Sequence, residues 1–384
     1  MKILITTDLY TTATNGVVTS VRNLSEELRR RGHDVRILTL SDHMSSRQEE
    51  GVYYIGSVSL ESVYPNVRMP MTYRHHLIEE LIGWKPDVIH SQCEFFSFQF
   101  ALRIARHTDA PIIHTYHTLY EQYVPYVLPV KRFGQGLVRV LSRKRLESVN
   151  RMIVPSYKVE NALHGYGMYN TICVVPSGIS LEQHRKRISP EQRLEKRRSL
   201  GIADDRLVLL NLGRLGTEKN VEELMRYFAA AAHRRGELMF LLVGDGPSRQ
   251  PLEKMAETLG IADRVVFAGM VKPEEVHEYY QLGDVFVSAS TSETQGLTYV
   301  EAAANSLPLL CRQDLCLKNV LLPGENGYEF TDEAEFLDGL ERLADDPDAR
   351  IAAGHRSEEI AGAFDKSSFA ETMEEIYRSV LADQ

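Results

Sequence analysis

The 384 residues are 43% hydrophobic and 25% charged, an ordinary composition for a globular chain of two or three domains. The formal net charge of −9 argues against a nucleic-acid-binding protein, and no run approaches the roughly 20 apolar residues of a membrane span. We expect a cytoplasmic protein, because no signal peptide is found at the N-terminus and the four scattered cysteines form no CxxC pair.

The charge is divided unevenly along the chain. Residues 1–180 carry 20 Lys+Arg against 16 Asp+Glu, whereas the remaining residues carry 24 against 37. A basic half indicates an anionic partner for that half, and a membrane surface is one candidate.

Short apolar runs alternate with amphipathic helical stretches, which predicts parallel βαβ units. The predicted strands of the first half are KILITT, DVRILTL, DVIHSQ, PIIHTYH, RMIVPS and ICVVPSG. A predicted helix between the first two strands has Val18, Val21, Leu24 and Leu28 on one face, with Gly32 just past its end.

The alternation of apolar runs and helical stretches stops at residues 176–198, which are rich in charged residues. This predicts an interdomain linker, and the alternation begins again after it. The predicted strands of the second half are LVLLNLGRL, LMFLLVGDG, RVVFAGMV, VFVSAS and PLLCRQ. The expected fold is therefore α/β, with two Rossmann-like doubly wound domains (1–180 and 181–365). Helix 366–384 is expected to pack back on the first domain. A ligand is expected at the carboxyl ends of the strands, in the cleft between the domains.

The block from Glu293 to Glu301 directly follows the predicted strand VFVSAS. Gly296 lets the backbone approach a ligand, and the free N–H groups of the following helix, which includes Leu297, attract phosphate oxygens. Two carboxylates placed in this way can accept hydrogen bonds from the hydroxyl-rich groups on either side of the phosphate. The alternative is a capped surface helix with two solvated glutamates.

Two more loops follow strands of the second half. Arg214 and Lys219 lie on a glycine-bearing loop where both can face an anion, or where both are simply solvated. Gly244 and Asp245 form a glycine turn on which a nucleotide could rest, although such turns are common in α/β proteins.

The first half contributes Gly16, which opens the first helix, and His114 and His117 at the end of a later strand. The backbone of Gly16 could approach a diphosphate. The two histidines suggest a metal site, but no acidic third ligand lies nearby in sequence, so we expect no metal.

Taken together, these motifs resemble retaining glycosyltransferases of family 4. The resemblance rests on VFVSASTSETQGLTYVEA, with its two glutamates separated by seven residues, and on NGV, HTYHT, VVPSGI, GRLGTEKN, VGDGP and FAGMV in the same order. It covers residues 1–330 and implies the GT-B fold. A nicotinamide-dependent oxidoreductase is disfavoured, because no GxGxxG follows the first strand.

The resemblance also implies a role for each matching residue. Glu301 would accept hydrogen bonds from the donor ribose, and Glu293 would hold hydroxyls of the donor sugar. Arg214 and Lys219 would neutralise the departing diphosphate, while His117 would position the transferring sugar. The other implied donor-binding residues are Gly16, Gly244, Asp245, Val271, Gly296 and Leu297. A UDP-sugar is the expected donor, and no cofactor is expected to be obligatory.

Within the family, HTYHTLYEQY and ENGYEF resemble the bacterial diacylglycerol α-glucosyltransferases, which implies a lipid acceptor. A soluble or polyprenyl-linked acceptor is the alternative, and a non-catalytic nucleotide-sugar-binding protein is a third possibility. One departure is Ser306, where relatives usually have glycine. Another is CRQDLCLKNV, which follows that branch only in part.

A basic stretch favours contact with an anionic membrane. It contains Lys131, Arg132, Arg139, Arg143, Lys144, Arg145 and Arg151 against the single acid Glu147. Phe133, Leu137, Val140 and Leu141 have helical spacing in the same stretch, as in helices that lie at a bilayer surface. Peripheral attachment to the inner face of the plasma membrane is then expected. The alternative is that the apolar residues pack on the first domain while the cations are solvated.

Overall fold

The computed structural model describes residues 1–10, 16–60, 67–119, 140, 143–168 and 171–384. The chain forms two compact units. The first unit contains residues 1–178 and 366–384, and the second contains residues 179–365.

The first unit is built on an eight-stranded sheet within the described ranges, in the order β10-β9-β8-β7-β1-β2-β4-β3. All pairs are parallel except β3 with β4. The strands of this unit are β1 (Lys2–Thr6), β2 (Asp34–Leu40), β3 (Arg47–Glu49), β4 (Val52–Ile55), β5 (Ser57–Ser59), β6 (Arg68–Pro70), β7 (Val88–Ser91), β8 (Ile112–Thr115), β9 (Arg151–Val154) and β10 (Ile172–Val174). The strands β5 and β6 form a separate antiparallel pair.

Helices cover both faces of this sheet because side chains alternate along its strands. Ile3 and Ile5 of β1 pack in one apolar cluster, and Leu4 packs in another. The helices are α1 (Gly16–Arg30), α2 (His76–Trp84), α3 (Phe96–Thr108), α4 (Tyr157–Gly165) and a C-terminal helix (Lys366–Ala382).

The C-terminal helix completes one face of the first unit. Phe369, Met373 and Tyr377 are buried at helical spacing and share a cluster with Leu24 and Leu28 of α1. Arg31 and Glu374, 3.6 Å apart, add an ion pair beside this contact.

The second unit contains a six-stranded parallel sheet in the order β13-β12-β11-β14-β15-β16. Its strands are β11 (Leu207–Leu212), β12 (Leu238–Val243), β13 (Val265–Gly269), β14 (Val285–Ser288), β15 (Leu309–Arg312) and β16 (Gly327–Phe330). Its helices are α5 (Leu181–His184), α6 (Pro190–Ser199), α7 (Val221–Ala232), α8 (Arg249–Thr258), α9 (Val276–Tyr280), α10 (Leu297–Ala304), α11 (Glu333–Asp345) and α12 (Pro347–Ala361). Both sheets therefore have the doubly wound order expected of Rossmann-like folds.

The segment predicted as a linker is largely helical, which differs from the sequence-based expectation. Ser189 caps α6 through a reciprocal capping box with Gln192. Arg197 of the same helix is 1% exposed and donates hydrogen bonds to the carbonyl oxygen of Leu282 and the carboxylate of Asp284. These charged residues thus form part of the second unit. Arginine side chains of α6 donate hydrogen bonds to carbonyl oxygens just before β14.

Ser306 has a left-handed backbone conformation, with φ of 59°. This conformation favours glycine because a Cβ atom crowds the neighbouring carbonyl oxygen. Ser306 compensates with its hydroxyl, which donates to Glu358 and accepts a 2.7 Å hydrogen bond from Arg187.

Candidate functional site

Each sheet has one point at which the strand order reverses. In the second unit this point lies between β11 and β14, and in the first unit it lies between β1 and β7. Ligands of doubly wound folds bind outside the carboxyl ends of the strands at such points. The loops that follow these four strands are therefore the places to look for a site in each unit.

The loop after β11 presents two cations. Arg214 has a side chain that is about half exposed, and its Nη1 lies 3.0 Å from Oε1 of Glu218. Lys219 donates a hydrogen bond from Nζ to Oε1 of Glu293, which lies on the loop after β14. The structure thus brings Lys219 and Glu293 together across the point of reversal, while Arg214 remains accessible to an anion.

Glu293 and Gly296 lie on the loop that leads from β14 into α10. The Ser290 hydroxyl donates a 2.9 Å hydrogen bond to the Glu293 carboxylate. Gly296 has φ of 72°, and a Cβ atom there would lie 2.3 Å from Cε2 of Tyr299, so only glycine fits. Leu297 begins α10, whose first N–H groups have no partners within the helix.

Glu301 lies in the second turn of α10, and its Oε2 accepts a 2.8 Å hydrogen bond from the Tyr280 hydroxyl. Burial, with a smaller contribution from the nearby Glu301 charge, raises the pKa of Tyr280 well above its ordinary value. Tyr280 therefore remains a hydrogen-bond donor and fixes the orientation of the Glu301 carboxylate. Sequence reasoning did not single out Tyr280, which lies at the end of α9.

Gly244, Asp245 and Val271 follow the neighbouring strands β12 and β13. A Cβ atom on Gly244 would lie 2.0 Å from the carbonyl oxygen of Gly213, which follows β11. Glycine therefore allows the ends of β11 and β12 to approach each other closely. The carboxylate of Asp245 accepts hydrogen bonds from the Gly246 N–H at 2.7 Å and from Arg249 at 3.1 Å. The Gly246 N–H is the main cause of the lowered pKa of Asp245. Val271 is half-buried against the core of the sheet.

In the first unit, Gly16 is the first residue of α1, and the preceding Asn15 lies outside the described residues. His117 lies two residues after β8, and its Nε2 is 2.7 Å from Oε1 of Gln92. Burial, followed by the neighbouring His114, lowers the pKa of His117 to about 3. His117 is therefore a neutral imidazole near neutral pH.

Three further polar residues lie at the same edge of the first sheet, and sequence reasoning missed them. Asp8 follows β1 and accepts a 2.7 Å hydrogen bond from the Ser97 N–H at the start of α3, while burial raises its pKa. Gln92 and Glu94 follow β7, and Oε1 of Glu94 lies 3.3 Å from Nε2 of His114. None of the three belongs to a motif. Only their positions directly after strands could have marked them in the sequence as candidate site residues.

The basic stretch is described only in part. Lys131, Arg132 and Arg139 lie outside the described residues, as do Phe133, Leu137 and Leu141. Arg143, Lys144 and Arg145 are exposed, and Val140 is 63% exposed. Arg145 donates a 2.7 Å hydrogen bond to the carbonyl oxygen of Glu94, which ties the stretch to the edge that carries Gln92.

Across the described portion of the chain, no helix combines the length and the apolar character needed to cross a bilayer. Within the same residues, no cluster of three or more His, Cys, Asp and Glu side chains is arranged to hold a metal ion.

Family models and individual protein sequences both match this chain to glycosyltransferases over most of its length. Residues 14–183 match the family model described as Glycosyltransferase Family 4, and residues 192–359 match the model described as Glycosyl transferases group 1. An alpha-monoglucosyldiacylglycerol synthase from Streptococcus pneumoniae is 35% identical over 351 residues, which are 91% of this chain and 79% of that protein. A protein of the same name from Acholeplasma laidlawii is 29% identical over 99% of this chain and 98% of its own length.

A solved structure shows the same fold. The crystal structure of Anabaena HepE in complex with UDP-glucose matches 99% of this chain and 100% of its own, with a TM-score of 0.77 and 16% sequence identity. The chain therefore has the GT-B fold, as the resemblance in the sequence implied.

The buried histidines of the first unit predict a loss of stability in acid. His90 is hydrogen-bonded to Thr115 and Tyr377, each at 2.7 Å, and burial lowers its pKa well below the ordinary value. Below pH ~6.5, His90 and His117 bind protons in the unfolded chain but remain neutral in the folded chain. The free energy of unfolding therefore falls as the pH decreases. Each histidine contributes up to about 1.4 kcal/mol per pH unit.

Urea unfolding at pH 7 and at pH 5 measures this loss. His90→Gln should be less stable than the wild type at pH 7 but should lose less stability between the two pH values. His107→Gln, at an exposed position of the same unit, is the control and should show the wild-type pH dependence. Equal losses in all three proteins would contradict the prediction.

Proposed function

The chain belongs to glycosyltransferase family 4, and we propose that it transfers glucose from UDP-glucose to diacylglycerol with retention of the anomeric configuration. The observation that carries this proposal is the similarity over nearly the whole chain to two alpha-monoglucosyldiacylglycerol synthases. UDP-glucose has an α-anomeric bond, so a product with an α linkage implies retention.

The site of the second unit supports a nucleotide-sugar donor. Arg214 and Lys219 are placed to compensate the diphosphate, and the structural similarity to a protein solved with UDP-glucose agrees with this choice of donor. Glu301, oriented by Tyr280, would accept hydrogen bonds from the ribose, and Glu293 would hold hydroxyls of the glucose. Gly16, Gly244, Asp245, Val271, Gly296 and Leu297 complete the proposed donor-binding set.

The proposed transfer takes place on one face of the sugar. The acceptor hydroxyl forms a bond to the anomeric carbon while the bond from that carbon to the β-phosphate oxygen breaks. The hydroxyl proton passes to the departing phosphate oxygen, and the two cations stabilise the negative charge that develops there. The diphosphate is thus balanced by protein cations, and we expect no obligatory metal.

Turnover with defined substrates tests the proposal. The protein is incubated with UDP-glucose, UDP-galactose or UDP-N-acetylglucosamine and with diacylglycerol in anionic detergent micelles. The product is identified by mass, and its anomeric configuration by proton NMR coupling. Monoglucosyldiacylglycerol with an α linkage is expected. A β linkage, turnover that is faster when a soluble or polyprenyl-linked acceptor replaces diacylglycerol, or binding without turnover would each contradict the proposal.

The proposed role of the cations predicts a large kinetic effect. Arg214→Ala or Lys219→Ala should lower turnover by about 10²-fold or more, because each removes about 3 kcal/mol of stabilisation from the developing phosphate charge. Arg342→Ala is a matched control, since this exposed arginine of α11 pairs with Asp338 on the same helix and lies over the ring of Tyr328 on β16. Turnover is measured as UDP release at saturating donor, and near-normal rates in the first two variants would remove diphosphate stabilisation from the mechanism.

The two glutamates should have different kinetic signatures. Glu301→Gln should mainly raise KM for the donor, because the ribose does not change during the reaction. Glu293→Gln should also lower kcat, because the glucose develops charge in the transition state. Steady-state kinetics with single-turnover measurements separate the two effects. Identical defects in both variants would disprove the division of roles.

We also propose that the basic stretch binds the anionic inner face of the plasma membrane. Each cation near such a surface contributes on the order of 1 kcal/mol before screening, and the exposed Arg143, Lys144 and Val140 provide charge and apolar surface together. Replacing Arg139, Arg143 and Lys144 by Glu should abolish sedimentation with vesicles that contain phosphatidylglycerol and leave UDP-glucose hydrolysis unchanged.

A triple variant of the second unit provides the matched control. Arg226, Arg234 and Lys254 are exposed, and their replacement by Glu makes the same change in net charge. This control should bind vesicles as well as the wild type at low salt, and high salt should release both proteins. Binding lost equally in both variants would mean that net charge, and not the basic stretch, governs attachment.

A further inference from the structure

The carboxyl edge of the first sheet contains a buried amide whose nitrogen has no hydrogen-bond partner among the described residues. Gln92 follows β7 and is only 2% exposed. Its Oε1 lies 2.7 Å from Nε2 of His117, but its Nε2 has no hydrogen-bond partner among the described residues. A buried amide nitrogen without a partner costs about 1–3 kcal/mol. Such a group calls for an explanation, and a bound ligand is one.

The contact with Gln92 also determines which nitrogen of His117 carries the proton. An amide oxygen can only accept a hydrogen bond, so Nε2 of His117 must be the protonated nitrogen. The ring is neutral, because burial lowers its pKa to about 3. Nδ1 is then the ring atom with a lone pair, and among the described residues His117 has no second hydrogen-bond partner.

We propose that Gln92 and His117 form a hydroxyl-recognition pair for the transferred hexose, an inference that rests on the proposed function. Gln92 donates from Nε2 to one sugar hydroxyl and, through Oε1, holds His117 in the Nε2–H form. His117 accepts from a second hydroxyl at Nδ1. One donor and one acceptor in fixed positions distinguish a hydroxyl from a hydrogen, which makes Gln92 a determinant of sugar specificity.

The surroundings favour a neutral pair over a charged one. The titratable groups near His117 are His114 and His90, both buried, and Glu94 lies 3.3 Å from His114. A cationic His117 would face two further imidazoles in a buried environment, whereas a neutral ring needs no compensating charge.

Deoxy analogues of the donor provide the decisive experiment. The wild type and Gln92→Leu are assayed with UDP-glucose and with its 2-, 3-, 4- and 6-deoxy forms. Removal of the recognised hydroxyl should lower kcat/KM of the wild type about tenfold but should have little further effect in Gln92→Leu. Unchanged sensitivity to every hydroxyl in the variant would overturn the inference, provided that the wild type transfers glucose. If the wild type transfers no hexose at all, the proposed function fails instead.

The tautomer of His117 is an independent readout that needs no activity. Nitrogen-15 NMR of the full chain should show Nε2 protonated and Nδ1 bare at pH 7. A proton on Nδ1 would mean that the Gln92 amide has the opposite orientation, which would overturn the assignment even if Gln92 variants fail to fold.

Gln92→Glu tests the charge requirement. A carboxylate beside the ring raises the pKa of His117 toward its ordinary value, so Nδ1 becomes protonated in mild acid. The ratio of kcat/KM at pH 5 to that at pH 8 should therefore fall about threefold or more below the wild-type ratio. Gln48→Glu, the same change at an exposed position of β3, should keep the wild-type ratio. An unchanged ratio in Gln92→Glu would contradict a neutral acceptor at Nδ1.

Discussion

The ion pair between Lys219 and Glu293 is the interaction on which the site of the second unit depends. It joins the loop after β11 to the loop after β14 at the point where the strand order reverses. A diphosphate that binds Lys219 competes with the Glu293 carboxylate for the same ammonium group. If Lys219 binds the diphosphate and Glu293 the sugar, as proposed, the ion pair couples the recognition of the two parts of the donor.

The two units use different chemistry at the carboxyl ends of their strands. The second unit presents cations and carboxylates, which suit a departing phosphate and a sugar ring whose charges change during the reaction. The first unit places the neutral ring of His117 there, because burial lowers its pKa, together with Gln92, Asp8 and Glu94. The uncharged His117 and Gln92 suit the recognition of hydroxyl groups, since each can donate or accept a hydrogen bond without carrying a charge.

The strand pattern and the motifs were sufficient to predict the fold and the family, because parallel strands are apolar runs and the loops after them carry glycine. The boundary between the two units falls within the charged segment before β11, but its helices and the burial of Arg197, which is 1% exposed, were not foreseen, since sequence reasoning places arginine in solvent. Tyr280 and Gln92 were missed, because each contacts the site through one partner that is distant in sequence. The proposed roles of the site residues remain predictions.

The C-terminal helix gives the first unit a discontinuous sequence. The Tyr377 hydroxyl is hydrogen-bonded to His90. Phe369 and Met373 pack on the face of α1 that includes Leu24 and Leu28. During synthesis, residues 179–365 leave the ribosome before this helix, so the second unit has its whole sequence while the first still lacks a layer. The face of α1 that includes Leu24 and Leu28 is then apolar surface without its cover, and the first unit closes only when helix Lys366–Ala382 docks on it.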